Sequence, residues 1–396
     1  MRSEDFGPGA FGRLVPITGG HAFIPSRLPP RIDFSAELSI VLSEAERALG
    51  ALNGIGRILT NPHLLIFPYL HREAVLSSRI EGTQASVSDV LRREAGAREE
   101  RPDDVQEVIN YVDAMWLGLR RITEIPLCLN LAREIHRELL TGVRGASRAP
   151  GEFRRLQIHI GPPGTPLSAA TYVPPPANEL DACLDDWEKN LHQTDLPPLV
   201  HCAVLHYQFE AIHPFLDGNG RVGRLLNILY LVSRHVLLHP MLYLSAYFEE
   251  HRTAYYDLLL GVSQNGEWWP WIQFFLEGIR SQATSAATDC DRLLRLRDEL
   301  SARLSHAHAR PTAIRMIDLL FTNPYVQASR VAEHLDVSFP SAMNAIDQLV
   351  EMGLLREITG QKRNRMYVAP DVLAVVEGDA SPERPEVENR AVTQPT

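Results

Sequence analysis

The sequence predicts a mainly α protein: a helical bundle interrupted by one β-hairpin and followed by a small helix-turn-helix unit with two short strands. Three observations lead there. Apolar residues recur at helical spacing through most of residues 36–308. A β-rich segment over residues 157–173 breaks that pattern. Beyond residue 310 the periodic segments shorten, and a basic turn sits between two brief apolar runs.

Taken in order, residues 1–100 are expected to form an N-terminal arm and a helical region. The first three dozen residues are rich in Gly and Pro and end in Pro25-Ser26-Arg27-Leu28-Pro29-Pro30, which suggests an extended arm lying on the surface. Helical periodicity starts near Ala36 and runs through Leu38, Val41, Leu42, Ala45, Ala48, Leu49 and Leu52, then resumes after Pro62. Residues 101–280 read as the core, with helices over 105–119, 127–140, 180–191 and 199–212. Between them, Gly151-Glu152-Phe153-Arg154 leads into Gln157-Ile158-His159-Ile160-Gly161, a Pro/Gly turn and Thr171-Tyr172-Val173-Pro174-Pro175. That pair supplies the only strands expected before residue 300.

Residues 281–309 form a polar-faced helix carrying Leu293, Leu294, Leu296, Leu300 and Leu304, a connector or a dimerising helix. Residues 310–372 predict helices over 313–321 and 328–335, and a third opened by Ser338-Phe339-Pro340-Ser341 and running to Met352. Two strands then flank Lys362-Arg363-Asn364-Arg365, and the whole resembles a winged helix-turn-helix. Residues 373–396 are acidic, Pro-containing and poor in apolar side chains, the composition of a disordered tail.

Composition narrows the class. With 45% apolar and 22% charged residues in 396, the chain can hold two or three domains with ordinary cores. A net charge of −10 argues against nonspecific nucleic-acid binding by the whole chain. Cys128, Cys183, Cys202 and Cys290 are scattered with no C-x-x-C pair, so free thiols in a reducing, cytoplasmic setting are expected. The N-terminus lacks a charged-then-apolar signal pattern. The most apolar stretch, residues 225–244, is broken by Arg234, His235 and His239, which favours a buried helix pair over a membrane span.

Chemistry concentrates in residues 213–224: His213-Pro214-Phe215-Leu216-Asp217-Gly218-Asn219-Gly220-Arg221-Val222-Gly223-Arg224. An imidazole titrates near neutrality and can accept a proton from an attacking group. Asp217 offers hard oxygens suited to magnesium shared with phosphates. Gly218, Asn219 and Gly220 tolerate positive φ, which lets successive N–H groups converge on an anion. The apolar run that comes next has helical spacing, so the turn should open a helix whose N-terminus favours negative charge. Arg221 and Arg224 share one face of its first turn, and their forks suit phosphate oxygens. The parts together describe a site for a metal-bound polyphosphate.

This stretch matches the Fic family signature H-P-F-x-[DE]-G-N-G-R-x-x-R at every fixed position, and the chain resembles that family over about residues 10–280. Ser77-Ser78-Arg79-Ile80-Glu81-Gly82 is similar to the family's inhibitory motif, with Ser77 and Glu81 on one helix face. Residues 157–173 resemble its flap hairpin. Tyr255-Tyr256 and Gly266-Glu267-Trp268-Trp269 resemble the segment that closes the nucleotide pocket.

The resemblance implies transfer of AMP from ATP to a Ser, Thr or Tyr hydroxyl of a protein. His213 would be the base and Asp217 would hold Mg²⁺. Asn219 with the Gly218 and Gly220 turn would cradle the α-phosphate, and Arg221 and Arg224 would hold the outer phosphates. Tyr255 and Tyr256 would line the base pocket. The Asn that contacts adenine in some members has no match, Ser263 and Asn265 being the nearest polar residues. Glu81 would pair with Arg224 and restrain the enzyme; in some members the same Glu positions a water that removes AMP, which stays open here. An acceptor protein segment would add as a strand along residues 157–173, and self-modification and a homodimer are compatible with this scheme. Two alternatives stay open: a DNA-binding regulator built on the C-terminal unit, and transfer of UMP or phosphocholine in place of AMP.

Overall fold

A computed structural model describes residues 1–58, 63–97, 101–162 and 164–378. The chain divides into two units, Met1–Asp291 and Arg292–Thr396. Helix dominates, as the sequence predicts.

The first unit opens with a feature that sequence reasoning missed. Strands β1 (Gly12–Ile17) and β2 (Gly20–Pro25) pair antiparallel, with Ile17 opposite Gly20 across a two-residue turn. The expected extended arm is therefore a hairpin. Gly19 has φ 90°, the backbone such a short connection demands. Pro16 lacks a donor but is tolerated because a two-stranded ribbon is all edge. Phe23 N–H donates to Val173 O at 2.8 Å, and Gln208 Nε2 to Ser26 O at 2.9 Å, which ties the arm to residues far along the chain.

Helices α1 (Ala36–Ile58), α2 (His63–Ile80), α3 (Val87–Glu94), α4 (Pro102–Arg121) and α5 (Leu129–Leu139) come next. Pro62 lies outside the described residues. Helix α3 starts with a reciprocal capping box, Ser86 accepting from Asp89 N–H and Asp89 accepting from Ser86 N–H. Helices α6 (Ala177–Leu191), α7 (Pro198–Ile212) and α8 (Asn219–Ser233) complete the bundle. In α7 every residue except Pro198 and Glu210 is buried, so it is the central rod of the unit. It packs on α8, its partner at the site.

Two expectations fail between α5 and α9. The segment over 157–173 is not a strand pair: it holds one bridge, Ile160 opposite Tyr172, and a 3-10 turn at Leu167–Ala169. Pro162 and Pro166 supply no N–H and so cut the ladder short; Pro163 lies outside the described residues. Residues 225–244 are not a helix pair either. Helix α8 stops at Ser233, His235 takes φ 56°, and helix resumes only in α9 (Ser245–Glu250).

Helices α10 (Arg252–Asn265) and α11 (Trp268–His306) come after it. The separate helix expected over 281–309 is the second half of α11, and the division between units falls within it. Cys183, Cys202 and Cys290 are buried free thiols and Cys128 is half-buried, also free.

The second unit contains α12 (Pro311–Thr322), β3 (Tyr325–Gln327), α13 (Ala328–Leu335) and α14 (Phe339–Glu351). Strands β4 (Arg356–Glu357) and β5 (Met366–Val368) and helix α15 (Pro370–Glu377) close it. Strand β5 is central, antiparallel to both β3 and β4. Lys362, Arg363, Asn364 and Arg365 are exposed between β4 and β5. The disordered tail was expected from residue 373, yet α15 extends to Glu377 because Val372 and Val376 bury against the unit; its remainder, 379–396, lies outside the described residues. Among the described residues, no helix is long and apolar enough to cross a membrane.

Candidate active site

Helix α7 ends at His213, which caps it in the left-handed conformation (φ 49°, ψ 62°). A non-glycine residue held there is strained, and such strain gathers at functional sites. Its ring is half-buried, and Nδ1 lies 3.2 Å from Glu210 O. A carbonyl only accepts, so Nδ1 carries the proton and Nε2 is the basic nitrogen left for the pocket. Burial pushes the imidazole down to about 4; the Glu210 carbonyl bond opposes this and the Arg154 charge adds to it. At neutral pH His213 is an unprotonated base.

The loop after it is rigid for reasons that can be named. Phe215 is fully buried and stacks on the His136 ring, centroids 3.8 Å apart. His136 Nε2 donates to Asp217 O at 3.0 Å while its Nδ1 accepts Gly151 N–H at 2.8 Å. Desolvation holds that imidazole down at about 4, and a neutral ring is what both bonds need. Arg154 is 3% exposed and spans the back of the loop, donating to His213 O at 2.9 Å, Pro175 O at 2.6 Å and Ile212 O at 3.2 Å. It joins the start of the flap to the turn at His213. Neither His136 nor Arg154 was singled out from the sequence. Only the Gly-Glu-Phe-Arg run pointed towards the latter.

Asn219 is committed differently from the sequence expectation. Its Oδ1 accepts Phe215 N–H at 2.8 Å and its Nδ2 donates to Phe215 O at 2.9 Å. Both ends of the amide therefore shape the turn, which leaves anion contact to the backbone. Gly218, at φ 75°, is the N-cap of α8, so the helix opens with unpaired N–H groups beside the pocket that Gly218, Asn219 and Gly220 line. Asp217 Oδ1 accepts Gly218 N–H at 2.6 Å, and its side chain is 37% exposed.

Arg221 is 2% exposed. Its Nη1 stands 3.5 Å from Glu107 Oε2 and its Nη2 3.7 Å from Asp217 Oδ1, both loose. Its Nε and Nη1 are buried with no hydrogen-bond partner among the described residues. A buried guanidinium is costly unless paired, and the equally buried Glu107 carboxylate is the charge that compensates it. Glu107 also takes Thr83 Oγ1–H at 2.8 Å and Arg144 Nη2–H at 3.3 Å.

Arg224 is occupied. Its Nη2 donates to Glu81 Oε1 at 2.7 Å and to Ser77 O at 2.9 Å, and its Nε to Ser77 Oγ at 2.9 Å. Ser77 lies on α2 and Glu81 just past its end, so the predicted pair meets the predicted Arg. Burial alone would raise the Glu81 carboxyl, but the charge and hydrogen bond of Arg224 outweigh it and hold Glu81 below its ordinary value. The carboxylate lies directly over Gly220: a Cβ there would come 2.3 Å from Glu81 Oε1. It therefore occupies the space in front of the α8 N-terminus. Behind Ser77, Glu73 is buried and accepts from Tyr111 OH at 3.1 Å and Ser245 N–H at 3.0 Å, which fastens α2 to α4 and α9.

Glu81, His213, Asp217, the Gly218-Asn219-Gly220 turn and Arg224 line a pocket of about 550 Å³, walled by Ile160 and Tyr172 of the flap and by Tyr256, Leu260 and Ser263 of α10; Arg221, expected to hold phosphates, is not among its lining residues. Tyr256 faces it as predicted. Tyr255 does not: it is 1% exposed, and its hydroxyl is bonded to His206 Nε2 at 2.8 Å behind the wall. At the far side Tyr207 OH meets Ser263 Oγ at 3.0 Å. Asn265 is not among the lining residues.

Comparison with known proteins agrees with this geometry. Residues 40–120 match the Fic/DOC family N-terminal model and residues 126–231 the Fic/DOC family model. Over 207 residues, half of the chain, the sequence is 27% identical to "Protein adenylyltransferase Fic" of Drosophila virilis and to its namesake in Drosophila melanogaster. The match spans 39% and 38% of those two relatives, well under half of each. A solved Fic family protein from Desulfovibrio desulfuricans G20 superposes with a TM-score of 0.57 at 19% identity, covering 86% of this chain and 98% of that one. At that identity the likeness concerns the fold.

Proposed function

Across residues 40–120 and 126–231 the chain belongs to the Fic/DOC family, and from that premise we propose that it is a protein adenylyltransferase restrained by Glu81. It transfers AMP from ATP to a Ser, Thr or Tyr hydroxyl of a protein. One observation carries the reading: a neutral His213 and an α8 N-terminus line the same pocket in which Glu81 closes on Arg224 at 2.7 Å.

The chemistry follows from the residues. His213 Nε2 takes the proton of the acceptor hydroxyl as its oxygen attacks the α-phosphorus, and pyrophosphate leaves. The N–H groups after Gly218 stabilise the charge redistributed on the α-phosphate. Arg224 offers its guanidinium to phosphate oxygens once Glu81 withdraws, while Arg221 stands behind the loop beside Glu107 and Asp217. With Glu81 in place the nucleotide is displaced from in-line attack, and misplacement is costly when catalysis rests on positioning.

Magnesium fits this donor set in a particular way. Among the described residues, no group of three or more His, Cys, Asp or Glu could hold a metal ion. A single hard carboxylate, Asp217, suits an ion that arrives largely ligated by nucleotide phosphates and water. Such an ion would neutralise charge on the leaving phosphates. The acceptor segment is read as an added strand beside Ile160, which is 36% exposed on the single-bridge flap.

A second reading concerns the transferred group. The Asn that contacts adenine in some family members has no match in this chain, and the polar pair of the pocket wall is Tyr207 with Ser263, which leaves UMP or phosphocholine transfer as the competing reading. For the second unit, the exposed Lys362, Arg363 and Arg365 favour DNA, whereas exposed Asp347 and Glu351 on α14 oppose it. A gel shift at low salt separates these outcomes.

The transferase reading is tested with α-labelled ATP. Glu81→Gly should raise self-labelling above wild type, and adding His213→Ala should abolish it. Equal labelling of wild type and Glu81→Gly defeats the restraint; labelling that survives His213→Ala defeats the base assignment.

A further inference from the structure

Glu210 lines the same pocket and has no part in the mechanism so far. Apart from Pro198 it is the residue of α7 that is not fully buried, and it is the helix's one carboxylate. Its Oε1 is buried and has no hydrogen-bond partner among the described residues. That oxygen lies against the second turn of α8, where a Cβ on Gly223 would come 2.4 Å from it. Its Oε2 is 4.0 Å from His213 Nδ1, the nitrogen that also donates to Glu210's own carbonyl at 3.2 Å. A desolvated, unsatisfied carboxylate is expensive to keep beside a base unless it serves that base.

We propose that Glu210 is the positioning partner of His213: its carbonyl fixes the ring tautomer, and its carboxylate stabilises the imidazolium formed when His213 takes the acceptor's proton. The proposal rests on the transferase reading. In the step it serves, the acceptor O–H bond breaks and its proton goes to His213 Nε2. The freed oxygen pair forms the bond to the α-phosphorus, and the bond from that phosphorus to the bridging oxygen breaks, its pair leaving with pyrophosphate. The ring then carries a positive charge with its Nδ1–H turned to Glu210.

The surroundings explain why such a partner is needed. Burial, with the Arg154 charge, holds His213 down at about 4 even though its bond to the Glu210 carbonyl, Glu81 and Asp217 pull the other way. So feeble a base accepts a proton poorly at neutral pH. The titratable groups facing Glu210 are His213 after its own helix, Arg224 on α8, Glu81 beyond α2, and the neutral Tyr255 and Tyr256 hydroxyls on α10. Burial holds the Glu210 carboxyl up at about 7, Arg224 lowers it and Glu81 raises it. Withdrawal of Glu81 therefore favours the ionised carboxylate. The contact that blocks the phosphate site also disarms the base.

The test compares full-length Glu81→Gly with Glu81→Gly/Glu210→Gln and Glu81→Gly/Glu210→Asp. Single-turnover transfer of label from saturating ATP is monitored from mildly acid to mildly alkaline pH. The Gln protein should lose about 10- to 100-fold in saturating rate, keep the parent's half-saturating ATP, and lose the parent's rise in rate through neutrality. The Asp protein should recover that rise in part. A Gln protein with the parent's rate and profile overturns the proposal. So does a slower one that keeps the rise, since a merely structural residue would behave that way. Should the Gln protein fail to fold, the Asp protein decides, and an unchanged profile there refutes the idea. A Glu81→Gly parent that transfers no label from any nucleotide overturns the transferase reading instead, and is recognised before any Glu210 comparison begins.

Discussion

Replacing Glu81 by Ala removes one carboxylate and gives a stability effect whose sign should depend on nucleotide. Arg224 is 1% exposed at its side chain, and Glu81 is its only ion-pair partner among the described residues. Stripping one partner from a fully buried pair costs ~3–5 kcal/mol. Two features reduce that here. The Glu81 side chain is 32% exposed, towards the pocket, and Ser77 Oγ and Ser77 O stay bonded to the guanidinium. About 1–2 kcal/mol is the resulting loss, equal to a 5- to 30-fold change in an equilibrium. At about 2–4 °C per kcal/mol for a unit of this size, the variant should melt roughly 2–8 °C below wild type without ligand. Phosphate oxygens would replace the lost carboxylate, so ATP with Mg²⁺ should bind the variant more tightly and raise its melting point further. Thermal melts of both proteins, with and without saturating ATP, check this. The expected result is a gap that closes or reverses on adding nucleotide. A variant as stable as wild type without ATP, with the same upward shift in both proteins, would show that Glu81 neither supports Arg224 nor competes with phosphate.

Three further outcomes rest on the same contacts and their neighbours. Asn219→Ala strands the buried N–H and C=O of Phe215, each costing ~1–3 kcal/mol when unsatisfied, so denaturant titration should show a loss of at least about 2 kcal/mol. Because the folded Glu81 carboxyl is held below its unfolded value, its pairing is fully present above the ordinary carboxylate range and fades as pH falls through the folded value. The stability gap between wild type and Glu81→Ala should then stay constant near neutrality and vanish in strong acid. His206 is buried between Tyr255 and Asn227 and held down at about 3 by desolvation, so the unfolded chain binds its proton first as pH drops. Below about pH 6.5 this histidine should cost about 1.4 kcal/mol per pH unit, and His206→Gln should flatten the acid limb of a melting-point profile by that slope.

Much of the site was legible in the sequence because its signals were local. The run from His213 to Arg224 announces its own turn and helix, and Ser77 and Glu81 are set by one helical repeat. Their meeting with Arg224 came from family resemblance, since nothing in spacing alone joins Glu81 to a residue 143 positions away. What escaped was decided by packing or by missing donors. The β1–β2 hairpin was hidden among Gly and Pro that read as an irregular arm. The flap looked like two strands, but its prolines leave one bridge. Tyr255 and Tyr256 are neighbours in sequence, yet the helix turns one into the pocket and the other onto His206. Asn219 is spent on Phe215, a bond invisible until the loop closes. Glu210, three residues before His213, was in plain view without a pattern to mark it.

Whether this chain is a restrained AMP-transferase is decided by mass spectrometry of intact Glu81→Gly protein, incubated with Mg²⁺ and an equimolar mixture of nucleoside triphosphates. The expected product carries an added AMP on a Ser, Thr or Tyr, scarce in wild type and absent when His213→Ala is combined with Glu81→Gly. An unmodified Glu81→Gly protein, or an adduct that forms equally without His213, would contradict that assignment.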